Sequence, residues 1–252
     1  MDSSWGQSAH RIRFDWGPLG ADAVAGDAAL VAVVDVLSFT TALGVAVEQG
    51  IAVRPCPWRD ESAGRLAREH DAVLAVGRRE VTGPGQVSLS PGTIRQSRGI
   101  ARLVLPSPNG ATVCARLAGG SATVAGVSLR NAAAAAEWVT RRAGGVVAVV
   151  AAGERWPDGS LRPAVEDLWG AGAFLDHLVR GGATGLSPEA GAALAAYRSV
   201  AGSLSVALSE CASGVELREG GFAEDVAMAA EVGLSDTVPI LRDGWFVADS
   251  SQ

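Results

Sequence analysis

The sequence predicts an α/β fold: a largely parallel β-sheet flanked by helices in three layers (α/β/α), followed by a C-terminal helical segment and a closing hairpin. Three observations carry that prediction. Short β-branched apolar runs recur at 30–36, 51–54, 72–76, 102–105, 122–125 and 146–151. Stretches with room for helices lie between them at 40–49, 60–70, 109–117, 131–142 and 163–180. The runs are continuously apolar, which is the pattern of parallel strands buried on both faces.

Beyond residue 180 the texture changes. Residues 188–232 are Ala-rich and helical in pattern, and 238–241 and 245–247, joined through Arg242-Asp243-Gly244, read as a hairpin. No low-complexity linker divides the chain, so 1–252 reads as one unit, with a sub-domain at about 181–252 left open. No period suggests a repeat architecture.

Composition narrows the function. The chain has 252 residues, 48% of them hydrophobic, enough for a real core. Its net charge of -6, with no basic run, argues against nucleic-acid binding, which needs clustered cations to neutralise phosphates. The same balance argues against an anionic membrane surface. No apolar run is expected to approach the roughly 20 residues of a membrane span. The chain contains no Lys; with its abundant Ala and Gly, this fits a GC-rich coding bias. Cys56, Cys114 and Cys211 stand far apart without metal-ligand spacing, and the N-terminus lacks a leader pattern, so a reducing, cytoplasmic setting is expected.

Ligands of open parallel sheets bind beyond the carboxyl ends of the strands. After the first run come Asp35, Ser38, Thr40 and Thr41. A carboxylate there either caps the helix or meets a cation, and the hydroxyls and free N–H groups could hold an anion. After the fourth run, Pro106-Ser107-Pro108-Asn109-Gly110 forces a tight turn before a helix, either an ordinary connection or an anion cradle. After the fifth come Ser128, Arg130 and Asn131, with Arg130 placed to clamp a phosphate or sulfonate unless it is a surface ion pair. The sixth run delivers the densest cluster: Glu154, Arg155, Arg162, Glu166 and Asp167. Glu166 and Asp167 could simply favour a helix N-terminus; converging with Asp35 and Glu154, they would make an oxygen-rich Mg²⁺ site. Glu224-Asp225 either completes the site or opens a helix. His10, His70 and His177 sit in no recognisable motif.

Several phosphate chemistries are excluded. A chain without Lys has no GxxxxGK[ST] loop. No Cys begins a thiolate-phosphatase loop, and Leu37 stands where a paired-Asp nucleophile motif needs its second Asp. Metal-assisted attack by water remains.

Asp35-Val-Leu-Ser-Phe-Thr-Thr, Pro106-Ser-Pro-Asn-Gly, Ser128-Leu-Arg-Asn, Gly153-Glu-Arg-Trp, Glu166-Asp-Leu-Trp-Gly-Ala-Gly and Gly221-Phe-Ala-Glu-Asp together resemble, in order, the blocks of the 2-phosphosulfolactate phosphatase (ComB-like) family. The resemblance spans roughly residues 10–247. It implies an α/β, Mg²⁺-dependent hydrolase that converts 2-phospho-3-sulfolactate to 3-sulfolactate and phosphate, on a route to coenzyme M. It also implies Asp35, Glu154, Glu166 and Asp167 as metal-binding and water-activating groups, with Arg155 beside them. The resemblance implies Ser107, Asn109, Arg130, Arg155 and Arg162 as phosphate- and sulfonate-binding groups, and Ser38, Thr40, Gly110 and Asn131 from the same loops complete the candidate substrate-binding set.

The chain also departs from the family pattern. Ser38 stands where Arg is common, Gly77-Arg78-Arg79 where Gly-Glu-Arg is common, and Ser88-Leu89-Ser90-Pro91 where Gly-Asn-Ser-Pro is common. Arg78 is therefore a candidate to supply the cation missing at 38. Two readings follow: a phosphatase acting on a small anionic phosphomonoester, 2-phosphosulfolactate or another, or a catalytically altered homologue that binds a phosphorylated or sulfonated metabolite. A phosphotransferase is a weaker third, since no nucleotide loop is visible. Homo-oligomerisation is left open.

Overall fold

The computed structural model describes residues 4–57, 60–83, 85–142 and 144–249. Residues 1–3, on which part of the N-terminal expectation falls, lie outside the described residues. The strands are β1 (Ile12–Trp16), β2 (Ala28–Val34), β3 (Ala52–Cys56), β4 (Val73–Leu74), β5 (Arg102–Pro106), β6 (Thr123–Val127), β7 (Val146–Ala151), β8 (Glu154–Arg155), β9 (Leu161–Arg162), β10 (Pro239–Arg242) and β11 (Trp245–Ala248). The α-helices are α1 (Gly17–Val24), α2 (Phe39–Glu48), α3 (Glu61–Glu69), α4 (Pro91–Gln96), α5 (Gly110–Leu117), α6 (Ala132–Arg142), α7 (Val165–Arg180), α8 (Pro188–Val200), α9 (Leu204–Glu210), α10 (Ala212–Glu219) and α11 (Ala223–Ala229).

Each apolar run of the sequence became a strand of one nine-stranded sheet, ordered β1-β7-β2-β6-β10-β11-β3-β5-β4. The strand β1 was not foreseen, because Ile12-Arg-Phe-Asp-Trp16 alternates polar and apolar residues. Its Arg13 is nevertheless buried, held by Asp27 at 3.1 Å and by the carbonyl of His10 at 3.0 Å. Burying a charge is tolerable when it is paired in this way.

Strands pair in parallel within β1-β7-β2-β6 and within β3-β5-β4. The C-terminal hairpin β10–β11 lies in mid-sheet, antiparallel to β6 on one side and to β3 on the other. Three antiparallel steps therefore separate the blocks, and the second runs opposite to the first. From β2 to β5 is five strand positions, about 24 Å on a flat sheet at roughly 4.8 Å per step. Yet the loop after β5 touches the loop after β2, with the Gly110 N–H 2.8 Å from Asp35. The sheet must curl strongly, as large twisted sheets do.

The curl encloses one core: Val31 and Val33 of β2 share it with Leu103 and Leu105 of β5, Phe39 and Leu43 of α2 and Val113 of α5. The other face of the first block packs on α6, α7 and α8 through residues such as Val34, Val149, Phe174 and Tyr197. A small third cluster seats α3 against β5. The chain after residue 180 thus supplies both the sheet centre and part of a helical layer. By length and mean hydropathy, 1.2, the stretch Pro188–Glu210 would suffice to cross a bilayer. Its Ala193, Leu194 and Tyr197 belong instead to the core, and Arg198 pairs with Asp176 of α7 at 2.7 Å.

The contact of α7 with α8 depends on a missing side chain. A Cβ at Gly172 would lie 2.2 Å from the Ala193 carbonyl oxygen and 2.5 Å from the Tyr197 Cβ. A backbone obstacle cannot step aside, so Gly172→Ala is expected to destabilise the protein by about 3 kcal/mol. Gly191→Ala, where an added Cβ meets nothing within 4 Å, should stabilise α8 by about 0.5–1 kcal/mol. Urea unfolding of the two variants checks both signs.

Candidate active site

The loops after β2, β5 and β7 build one buried acidic cluster. Asp35, just after β2, is fixed at both oxygens: Oδ1 accepts from the Phe39 N–H at 3.1 Å and Oδ2 from the Gly110 N–H at 2.8 Å. Thr40 fastens the same loop, its hydroxyl donating to the Asp35 carbonyl at 2.7 Å and accepting from the Asp35 N–H at 3.0 Å. The Thr41 hydroxyl donates to the Val36 carbonyl at 2.8 Å. Both threonines therefore shape the loop. Gly110 opens α5, and a Cβ on it would fall 2.6 Å from the Phe39 ring and 2.7 Å from Asp35 Oδ2. Only glycine lets the two blocks approach this closely.

Asp167, in the first turn of α7, ties the β2 loop to the β7 loop. Its Oδ1 accepts from the Val36 N–H at 2.7 Å and its Oδ2 from the Gly153 N–H at 2.9 Å. Gly153 sits at φ +68°, the left-handed turn that brings the next residue, Glu154, back over the sheet end. Glu154 Oε2 accepts from the Asn109 side-chain amide at 2.8 Å, so a third strand end joins. Glu166 is buried beside Asp167, and the thiol of Cys211 from the loop before α10 is its side-chain neighbour.

Burial and neighbouring acids oppose the ionisation of Asp35, Glu154 and Asp167. Burial, with a contribution from Glu166, raises the Asp35 carboxyl from 3.8 to about 6, against its two N–H partners and the nearby Arg78. Burial, Asp35 and Glu166 raise Glu154 from 4.5 to about 7, against Asn109 and Arg162. Burial first, then Asp35 and Glu166, raise Asp167 well above the usual carboxylate range. Burial and Glu166 push the Cys211 thiol up to about 12, so it stays protonated.

Two guanidinium groups flank the cluster. Arg78 hydrogen-bonds the Ser38 hydroxyl and pairs through Nε with the buried Asp225 at 3.0 Å. Asp225 in turn accepts from the Ser90 hydroxyl. Arg78 thus reaches the position where the family pattern has its own cation. On the other side, Arg162 stacks over Trp156 at 5.8 Å, with its Nη2 3.4 Å from the Ser213 hydroxyl of α10. Ser107 is buried, its hydroxyl accepting from the Asn109 N–H at 3.3 Å. Arg155 is turned outward, clamping the β8–β9 hairpin through the carbonyls of Gly159 at 3.1 Å and Pro108 at 3.0 Å.

Arg130 and Asn131 do not join this group. Arg130, read from the sequence as a phosphate clamp, is buried and paired with Glu48 at 3.0 Å and with Glu231. Two carboxylates already neutralise it. The Asn131 side chain accepts from the Ser128 N–H at 2.8 Å and donates to the carbonyls of Gly126 at 3.1 Å and Thr237 at 3.0 Å, which fixes the β6 turn. Conversely, Ser213 and Cys211 border the site without having been assigned a role there. They lie in ordinary stretches of sequence, and only the folding of α10 and α11 over the cluster brings them there.

Among the described residues, no group of three or more His, Cys, Asp or Glu side chains is already arranged to hold a metal ion. The donor chemistry nevertheless suits a hard divalent cation. Mg²⁺ needs only one or two carboxylates when waters and phosphate oxygens complete its octahedron. No N–H donor among the described residues bonds Glu154 Oε1 or Glu166, and repulsion among the acids is the condition that a bound cation relieves.

The family model described as 2-phosphosulpholactate phosphatase matches residues 21–244. The chain belongs to that family. A protein from Thermus thermophilus, named probable 2-phosphosulfolactate phosphatase, is 32% identical over 218 residues, covering 84% of this chain and 88% of its own length. Membership in this family makes the chain a phosphatase, a phosphoric monoester hydrolase.

The raised carboxyls set a pH dependence of stability. The folded family member binds these protons more tightly than the unfolded chain, so their stabilising effect is complete below about pH 4 and is lost as pH rises through about 6 and about 7. In a chelator, the melting temperature is expected to fall across that window, and Asp35→Asn should flatten the fall. Differential scanning calorimetry between those pH values is the check.

Proposed function

We propose that the protein is a Mg²⁺-dependent phosphatase that hydrolyses a small phosphorylated 2-hydroxy acid, 2-phospho-3-sulfolactate, to 3-sulfolactate and phosphate. One observation carries the reading: four carboxylates, largely or fully enclosed, meet beyond the strand ends, with Arg78 near Asp35 and Arg162 near Glu154. The family and the name of the Thermus relative support the substrate.

Asp35 and Glu166 would hold the Mg²⁺, with Asp167 keeping the two loops in register and Glu154 beside the ion as the base. When bound, the ion supplies charge neutralisation at the phosphoryl oxygens. Glu154, raised to about 7, is the group poised to exchange a proton near neutral pH. Its Oε2 is held by Asn109, which leaves Oε1 to receive a proton from the attacking water. Arg162, whose charge is felt at Glu154, would bind a phosphoryl oxygen. Enclosure of the acids keeps the local dielectric low, so these interactions act more strongly than in water.

The test is phosphate release from a panel of small phosphomonoesters that includes 2-phosphosulfolactate and phospholactate, with Mg²⁺ and with chelator. Release is expected with Mg²⁺ only, and Glu154→Gln should lower kcat by at least about 100-fold. Undiminished release in chelator would remove the metal from the reading. Binding of panel members without release from any would favour a metabolite-binding homologue.

A further inference from the structure

Beside the acidic cluster lies a cavity of about 360 Å³, lined by Gly77, Arg78, Leu89, Pro106, Ser107 and Pro108 among others. That is within the range of small-ligand pockets, about 300–1,000 Å³. Its walls are mostly apolar, and Arg78 is the cation among its lining residues. The guanidinium is held rather than mobile: Nε pairs with Asp225, one Nη bonds Ser38, and the planar group lies 5.8 Å from the Phe222 ring. No group among the described residues accepts from its second Nη. Its anchor, Asp225, is itself buried and fixed by Ser90. A guanidinium fixed on one edge and open on the other is the arrangement that receives an oxyanion.

We propose that Arg78 is the specificity-determining residue that receives the second anionic group of the substrate, a sulfonate or carboxylate remote from the phosphoryl group, in the cavity it shares with Ser107. The inference rests on the phosphatase reading above for the position of the phosphoryl group. The acidic cluster repels the acid end of such a substrate, so a cation must stand where that end lies. Arg78 stands beside Asp35, whose carboxyl its charge stabilises in the ionised form. Its neighbours across the cavity, Leu89, Pro106 and Pro108, offer no competing anion. Asp225 is a positioning residue in this scheme. It orients the fork by pairing with Nε and never meets the ligand.

Isothermal titration of the Mg²⁺-loaded full chain with 3-sulfolactate, malate and inorganic phosphate as probes tests this. Arg78→Met is expected to weaken 3-sulfolactate and malate by at least about tenfold while phosphate affinity stays within about threefold. Arg78→Lys, which keeps the charge and loses the fork, should fall between. Far-UV circular dichroism and the melting temperature establish that each variant is folded. If Arg78→Met disturbs the fold, Asp225→Asn serves instead, with the same selective loss expected to a smaller degree. Unchanged 3-sulfolactate affinity, equal loss of all three probes, or wild type that binds no 3-sulfolactate overturns the assignment. The phosphatase reading fails separately, through absent phosphate release by wild type, and the binding result stands whichever way that assay falls.

Discussion

The hydrogen bond from the Gly110 N–H to the Asp35 carboxylate is the joint on which the rest of the structure depends. It connects two blocks of strand that run in opposite senses and would be far apart on a flat sheet. The lack of a side chain at Gly110 permits the approach, and the curl of the sheet produces it. Asp35 and Glu154 already stand at the ends of the paired strands β2 and β7, and the joint lays the β5 loop over them, with Asn109 holding Glu154. There they share one desolvated volume with Glu166 and Asp167 and acquire the properties a reactive site needs.

The sheet layout explains how one small chain gathers so many charges without losing its fold. Asp35, Asp167 and Glu154 are anchored by backbone N–H groups or a side-chain amide, which hold the oxygens in place at little conformational cost. The penalty that remains is electrostatic and concentrated at one place. Arg78 and Arg162 offset part of it from opposite sides. Elsewhere buried charge is neutralised locally, as Arg13 is by Asp27 and Arg130 by Glu48 and Glu231.

Much of the fold was legible because buried parallel strands leave a direct trace, a run of apolar residues such as 146–151. The position of β10–β11 was not, since Val238-Pro-Ile-Leu reads as a hairpin arm wherever it docks. Nor was β1, whose alternation hides a buried Arg that only its partner explains. In the site, Asp35, Glu154, Glu166 and Asp167 stood out as acids at strand ends and helix starts, and the structure gathers them. Arg130 stood out for the same reason and lies elsewhere, because sequence shows that a cation follows a strand and not which acids surround it. The link from Arg78 to Asp225 spans 147 residues, a separation across which no local pattern operates.

The mid-sheet hairpin has a consequence for how the molecule comes into being. Until residue 248 has been synthesised, β6 and β3 each keep an unpaired edge, and no strand pairing joins the two halves of the sheet. Every nascent chain therefore passes through a stage that exposes two open strand borders, the situation that invites pairing with other chains. The closing step is also among the least local in the molecule, bringing Phe246 to Val53, and contacts of such long range are slow to form. All four acids precede the hairpin in the chain, so an intermediate still lacking it carries them before the second block can be paired across the sheet.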